Sequence, residues 1–325
     1  MRRPSILNTR GRWLVALVAC VLAACQGQET AQLRIGLSIW PPNEMAYLAS
    51  EQEYFGEYGI ELIEGGGPAA YLPGYLAGGL DVAVVSLGTA LELADLDPGH
   101  RIVMVLDYSR GGDALVARKE VASSPTGLRG KRVGYEPSAL GAYLLQRQLE
   151  LLGLTPADVT LVHVDNASFE HTFRTGMVDA IVAWEPTVSR LANDGALVMA
   201  DSSSFPEEIV DVLVARKQVL NSKRAHLVAF ADGWFEALAL HERDPARAGA
   251  LSEQRGHVSQ QNYLASFEGV AMLDRDDNLR LMSEQDGGLV QALERQRVFL
   301  SREGWLRTAI DVRELVDTSI VAAPP

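Results

Sequence analysis

The sequence predicts an α/β protein of two lobes, each built on a mixed, mostly parallel sheet, with the chain crossing twice between them. Three observations carry this reading. From Leu33 onward, short apolar strands alternate with helical stretches, the pattern of parallel α/β units. The segment Asp81-Val82-Ala83-Val84-Val85 is almost continuously apolar, as a strand covered on both faces requires. The rhythm stops at the breaker-rich Lys119–Pro125 and then restarts, which marks a second unit.

Taken in order, Leu33–Ser38 alternates apolar and polar residues and reads as a strand. Trp40-Pro41-Pro42 breaks it, and residues 43–53 read as a helix with Asn43 as candidate N-cap. Strand 60–63, helix 69–77, strand 81–85, helix 88–96 and strand 102–106 complete the first series. The second series runs through strand 132–135, helix 140–152, strand 159–164, helix 169–175, strand 178–183 and helix 187–193. A strand at 209–215 follows, and then the chain turns helical over 225–241, 245–255, 260–268, 277–294 and 311–316. The expected organisation is a first lobe of residues 32–109 plus 210–325, with residues 110–209 inserted as the second lobe.

Ahead of the folded part lie Arg2, Arg3, Arg10 and Arg12, an apolar run from Trp13 to Ala24, and Leu22-Ala23-Ala24-Cys25. A basic stretch, a short apolar run and small residues at a cut site make a secretory leader over residues 1–24. The run is shorter than the roughly 20 residues a spanning helix needs. Leu-Ala-Ala-Cys resembles the bacterial lipobox, in which the cysteine is lipidated and becomes the first mature residue. Cys25 would then be the anchor, Gln26–Ala31 a polar tether, and the chain an exported protein held at a membrane from the periplasmic or outer side. The absence of aspartate at position 26 leans towards the outer membrane.

The chain carries 29 Lys and Arg against 42 Asp and Glu, a net −13. Loss of residues 1–24 removes four arginines and no acid, leaving −17. That charge disfavours nucleic acid and anionic lipid as partners. The two cysteines are Cys20, in the leader, and Cys25, so no disulfide is expected in the mature monomer. The six histidines form no metal-binding spacing. No phosphate loop, dinucleotide fingerprint or nucleophile elbow occurs. No metal, cofactor or catalytic residue is therefore assigned.

A string of segments carries a resemblance. Trp40 with Pro42, Ala46-Tyr47-Leu48-Ala49 and Tyr54-Phe55 come first. Leu76–Ala83 (Leu-Ala-Gly-Gly-Leu-Asp-Val-Ala) and Gly112-Asp113-Ala114 follow. The second unit supplies Leu128–Gly134, Phe173–Ala180 and Ala183-Trp184-Glu185-Pro186. In this order the chain is similar to the periplasmic solute-binding proteins of ABC importers, in the branch serving nitrate, alkanesulfonate, taurine and thiamine-pyrimidine uptake. The resemblance implies a type II periplasmic binding protein fold and a small-molecule ligand held between the lobes. It also implies closure around that ligand, recognition by a membrane permease, and no covalent chemistry. A sensory lipoprotein of the same fold is the alternative. A fungal enzyme that makes the thiamine pyrimidine shares the fold but consumes its own histidine with pyridoxal; no convincing lysine–histidine site matches it here.

The candidate ligand residues sit where strands end. Ser38 and Trp40 follow the first strand, Trp40 offering an aromatic face stiffened by two prolines. Gly66 and Gly67, after the second, permit close backbone approach. Ser86, Gly88 and Thr89 offer hydroxyls and amides after the third. Tyr108 lies near the first crossing, beside Asp107 and Asp113, the latter expected to hydrogen-bond at the hinge. Glu136, Ser138, Asn166, Trp184 and Glu185 complete the set from the second unit. One feature departs from an anion binder: these loops carry Glu136, Glu185 and Asp107, and Arg110 is their nearest base. A buried anion beside unpaired carboxylates would be costly, which favours a neutral or cationic planar ligand such as a pyrimidine over sulfonate or nitrate.

Overall fold

The structure, a computed structural model, describes residues 32–256, 259–283 and 288–324. The leader, Cys25 and the tether lie outside the described residues. Eleven strands are described: β1 Leu33–Ser38, β2 Ile60–Gly65, β3 Val82–Ser86, β4 His100–Ser109, β5 Asp113–Ala117, β6 Arg132–Tyr135, β7 Thr160–His163, β8 Ala180–Trp184, β9 Leu197–Asp201, β10 Val210–Arg216 and β11 Val270–Met272. The helices used below are α1 Glu44–Glu51, α2 Pro68–Leu76, α3 Leu87–Leu96, α4 Ala139–Leu151, α5 Phe169–Arg174, α6 Thr187–Asn193, α7 Lys217–Ser222 and α8 Arg224–Arg243.

The strands form two sheets, ordered β11-β4-β10-β3-β1-β2 and β7-β6-β8-β5-β9. β1 pairs in parallel with β2 and β3, whereas β10 runs antiparallel between β3 and β4. In the second sheet β6 is parallel to β7 and β8, and β5 lies antiparallel between β8 and β9. In each sheet four strands therefore point one way, so both are mixed and mostly parallel. The chain passes from one sheet to the other between Ser109 and Asp113, and returns between Asp201 and Val210.

These two crossings are stitched together. Ser109 Oγ and Ser202 Oγ lie 2.7 Å apart, Ser202 Oγ accepts Gly111 N–H at 2.7 Å, and Ser109 N–H donates to Ile209 O at 2.8 Å. Gly269 backs the first crossing: its carbonyl accepts from Arg110 N at 2.7 Å and Gly112 N at 2.9 Å. It sits at φ +82°, and a Cβ there would come within 2.7 Å of Gly112 N. Both the left-handed backbone and the close approach require glycine. Gly269→Ala is expected to cost about 1–3 kcal/mol of stability, read as a lower urea midpoint. An unchanged midpoint would show that the crossing yields.

The core fills the space between the sheets and their helices. α1 lies against α8, where Phe55 stacks on Phe230 with ring centroids 5.6 Å apart and Trp234 is fully buried. Large apolar side chains of this kind contribute about 1.5–3 kcal/mol each when buried.

Several elements differ from the sequence reading. β5, β9 and β11 appear where no strand was expected. β5 is wholly buried on both faces and so shows no alternation, β11 has three residues, and β9 is recognisable only through its pairing with β5. The helix expected over 277–294 is two, Arg275–Ser283 and Gly288–Arg302. Asn43 does not cap α1; its side chain turns back and donates to Ser38 O at 2.9 Å. That bond holds the end of β1 rather than the start of the helix.

Candidate functional site

A cavity of about 370 Å³ opens between the two sheets, within the range of small-molecule sites. The sheet topology builds it. β1, β3 and β4 all bring their carboxyl ends to it, and β10, running the other way, brings its amino end. From the second sheet come the loops after β6, β7 and β8 and the start of β5. The cavity thus lies outside the carboxyl ends of the parallel strands, where ligands of open α/β sheets bind.

Ser38, Trp40, Gly66, Gly67, Ser86 and Thr89 line it from the first lobe, and Glu136, Ser138, Asn166 and Trp184 from the second. Trp40 is clamped by its surroundings. Pro41-Pro42 form a tight helical turn after it, its carbonyl accepts Asn43 N–H at 2.9 Å, and its indole Nε1 donates to Asp107 Oδ1 at 3.2 Å. Ser86 also serves as N-cap of α3, where its hydroxyl meets Thr89. Ser138 caps α4 through Gly141 N–H at 3.1 Å and donates to Glu136 Oε2 at 2.8 Å. Burial raises the Glu136 carboxyl, an effect the Ser138 bond opposes and Asp165 reinforces. Asn166 Nδ2 donates to Gly66 O at 3.3 Å, one direct polar contact between the lobes at the mouth of the cavity.

Three expected residues fall outside the lining. Gly88 lies where α3 meets the second lobe: a Cβ there would sit 3.0 Å from Ala139 Cβ and 3.2 Å from Gln296 Oε1. Tyr108 is on the opposite face of β4 from Asp107, because side chains alternate along a strand; it lines a small depression with Val105 and Val210 instead. Glu185 turns its carboxylate to α6, accepting Ser189 Oγ at 2.8 Å and Ser189 N–H at 3.1 Å. Asp113 is divided: its backbone N–H donates to Ser109 Oγ at 3.1 Å at the crossing, while the residue lines the cavity.

Other lining residues escaped the sequence reading, notably Tyr71, Glu92, Asp211 and Trp305. Asp211 had a legible signal: it is the one acid in the apolar run Ile209–Ala215, and charged side chains enter strand interiors at a cost that function usually explains. Asp107 and Asp211 are direct cross-strand partners, and Asp211 pairs on its other side with Ser86. The floor of the cavity is therefore a rung of Asp107, Asp211 and Ser86, with Asp113 facing it from β5. Asp107 is 1% exposed and its Oδ2 has no hydrogen-bond partner. Burial pushes Asp113 to about 7 against the Ser109 bond, with Asp211 and Glu185 adding to the rise. Burial also pushes Asp211 to about 7. Asp107 lies well above the usual carboxylate range through burial and the nearby Asp211 charge. Glu92, also on the lining, is pushed to about 7 by burial and then Asp95. No Lys, Arg or His lines the cavity among the described residues. No cluster of His, Cys, Asp and Glu among them suits a metal ion, and no described helix is long and apolar enough to cross a membrane.

Comparison with known proteins places this geometry. The model of the NMT1-like family matches residues 26–253. A Haemophilus influenzae protein described as a thiamine biosynthesis protein is 33% identical over 195 residues, 56% of this chain. The match spans 60% of that curated relative's length. Among solved structures, the alkanesulfonate-binding protein SsuA from Xanthomonas axonopodis pv. citri, bound to MOPS, superposes with a TM-score of 0.72 at 18% identity. It covers 90% of this chain and 100% of its own. The desulfurization enzyme DSZB superposes with a TM-score of 0.67 at 17% identity over 89% of this chain and 97% of its own. The shared fold is that of the periplasmic binding proteins.

Proposed function

The chain belongs to the NMT1-like family, and from that membership we propose that it is the solute-binding receptor of an ABC importer. It captures a small organic solute between its lobes and presents the closed form to a membrane permease. The observation that carries this reading is the cavity itself: loops from both sheets line it, and Asn166 of one lobe meets Gly66 of the other at its mouth. A ligand touching both lobes binds the closed form best, so it shifts the population towards closure by its differential affinity.

The cavity's acids favour a pyrimidine-like heterocycle over sulfonate or nitrate. Asp107, Asp113, Asp211, Glu92 and Glu136 line it, and a desolvated anion among them would have no opposite charge to meet. Lipidation at Cys25 would hold the receptor, acting as a monomer, at a membrane face outside the cytoplasm.

Thermal melting of residues 26–325 with pyrimidines, other heterocycles, polyamines, taurine, alkanesulfonates and nitrate tests this. A ligand at about 100 times its Kd adds roughly 2.7 kcal/mol. A shift with a heterocycle is the expected result. A shift with a sulfonate would keep the receptor and overturn the ligand chemistry.

A further inference from the structure

We infer that Asp107 and Asp211, with Asp113 opposite, form a cation subsite. It takes a positively charged nitrogen group, of the amidinium or ring-iminium class, with a hydrogen-bond donor for each of the paired carboxylates. The inference rests on the solute-receptor reading and goes beyond it by assigning the ligand's charge and the atoms that read it.

Two independent observations point to a ligand. The first is register: Asp107 and Asp211 are Cα partners on adjacent antiparallel strands, and both line the cavity. Directly opposed like charges destabilise a sheet, so the ionised pair needs a counter-charge, which a bound proton supplies in the empty site and a cation can supply in its place. The second is an unmet hydrogen-bonding site. Asp107 is 1% exposed, its Oδ1 is held by Trp40 Nε1, and its Oδ2 has no partner. A buried acceptor left unpaired is costly, and here it borders a space large enough for a solute.

The surrounding charges supply no competitor. Asp113 faces from β5 with Glu185 behind it, and Glu92, Glu136 and Asp165 line the walls. The Tyr71 hydroxyl is taken by Val84 O. No basic side chain among the described residues reaches the cavity, and Arg110 at the crossing is exposed. In the empty site Asp113 and Asp211 titrate near 7 and Asp107 is raised. A cation favours the ionised carboxylates, so it enters with proton release and binds more tightly as pH rises.

Calorimetry with matched pairs on the leaderless chain tests the inference: benzamidine against benzamide, phenylguanidine against phenylurea, and 4-aminopyridinium against aniline. The expected result is at least tenfold preference for a cation over its neutral partner. Affinity should rise with pH through the range around 7 in which Asp113 and Asp211 titrate, by up to about tenfold per pH unit for each proton released. Asp211→Asn and Asp107→Asn, shown folded by circular dichroism, should each abolish the preference. Equal binding of the neutral partners, or a pH-independent affinity, would overturn the subsite. Binding of a sulfonate with no binding of any cation would overturn the subsite and leave the receptor reading standing. Silence towards cations, neutral heterocycles and sulfonates alike would overturn both.

Discussion

Trp40→Ala is expected to lower affinity for the solute that binds in the melting panel by about 100-fold, or about 2.7 kcal/mol, while leaving the chain folded. Trp40 does two things at once. Its indole walls the cavity, which the second lobe's Trp184 also lines, and its Nε1–H holds Asp107 Oδ1 at 3.2 Å. A large aromatic at the centre of a desolvated pocket carries a disproportionate share of binding energy. The substitution removes that wall and leaves both Asp107 oxygens unpaired. Its cost to folding is smaller than for a wholly enclosed tryptophan, because Trp40 borders open space. Trp40→Phe separates the two roles: it keeps an aromatic wall, loses the donor, and should lose about tenfold. Isothermal calorimetry on both variants is the measurement. Unchanged affinity in Trp40→Ala would remove Trp40 from the site.

The second large effect concerns the empty protein. Asp211→Asn is expected to stabilise the ligand-free chain, with a gain that is absent below pH 4 and grows by about 3 kcal/mol between pH 5 and pH 8. Asp211 titrates near 7 in the fold because it is buried, well above the ordinary value of about 3.9 for an unfolded chain. Between those two values the folded protein holds a proton that the unfolded chain has lost. Stability therefore falls as pH rises from 4 to about 7 and is lowest above 7, where the ionised carboxylate faces Asp107 and Asp113. Asparagine keeps the shape and carries no charge, so the variant loses this part of the slope. Urea melts of both proteins at pH 5, 6, 7 and 8 read the difference. A variant less stable than the parent at pH 8 would show that the ionised Asp211 is held by favourable partners. On the expected result, replacing this one residue raises empty-state stability and lowers cation affinity, the trade expected of a binding group kept under strain.

Local structure was legible wherever one helix or strand answers to its own residues. Thr187–Asn193 and Pro245–Arg255 form helices at the bounds their periodicity and prolines suggest. The alternation of Leu33–Ser38 and the apolar run ending at Val85 became β1 and β3. Strand ends also pointed to the cavity, because in a parallel α/β sheet the loops that can reach a ligand are the ones at the carboxyl ends. That rule placed Ser38, Trp40, Ser86, Glu136, Asn166 and Trp184 on the lining without knowledge of how the strands pair.

Pairing itself was beyond local reading. β5, buried on both faces, has no period to detect, and it exists as a strand because β8 and β9 flank it. Asn43 stands where a helix cap belongs, yet Ser38 O claimed its amide. Tyr108 and Asp107 are neighbours in sequence and face opposite sides of β4. Only the fold shows which one meets the cavity, since a one-residue change of register would exchange them. The carboxylate rung is the clearest case. Asp107 and Asp211 lie far apart in the chain, each an isolated acid in an apolar run. β10 returns antiparallel between β3 and β4 and sets them side by side. Composition and periodicity determined the α/β alternation, most of the parallel strands and the acidic character of the loops. Non-local strand register decided that the acids converge on one floor, because hydrogen bonding between distant strands, not the sequence around either aspartate, sets which residues stand opposite each other.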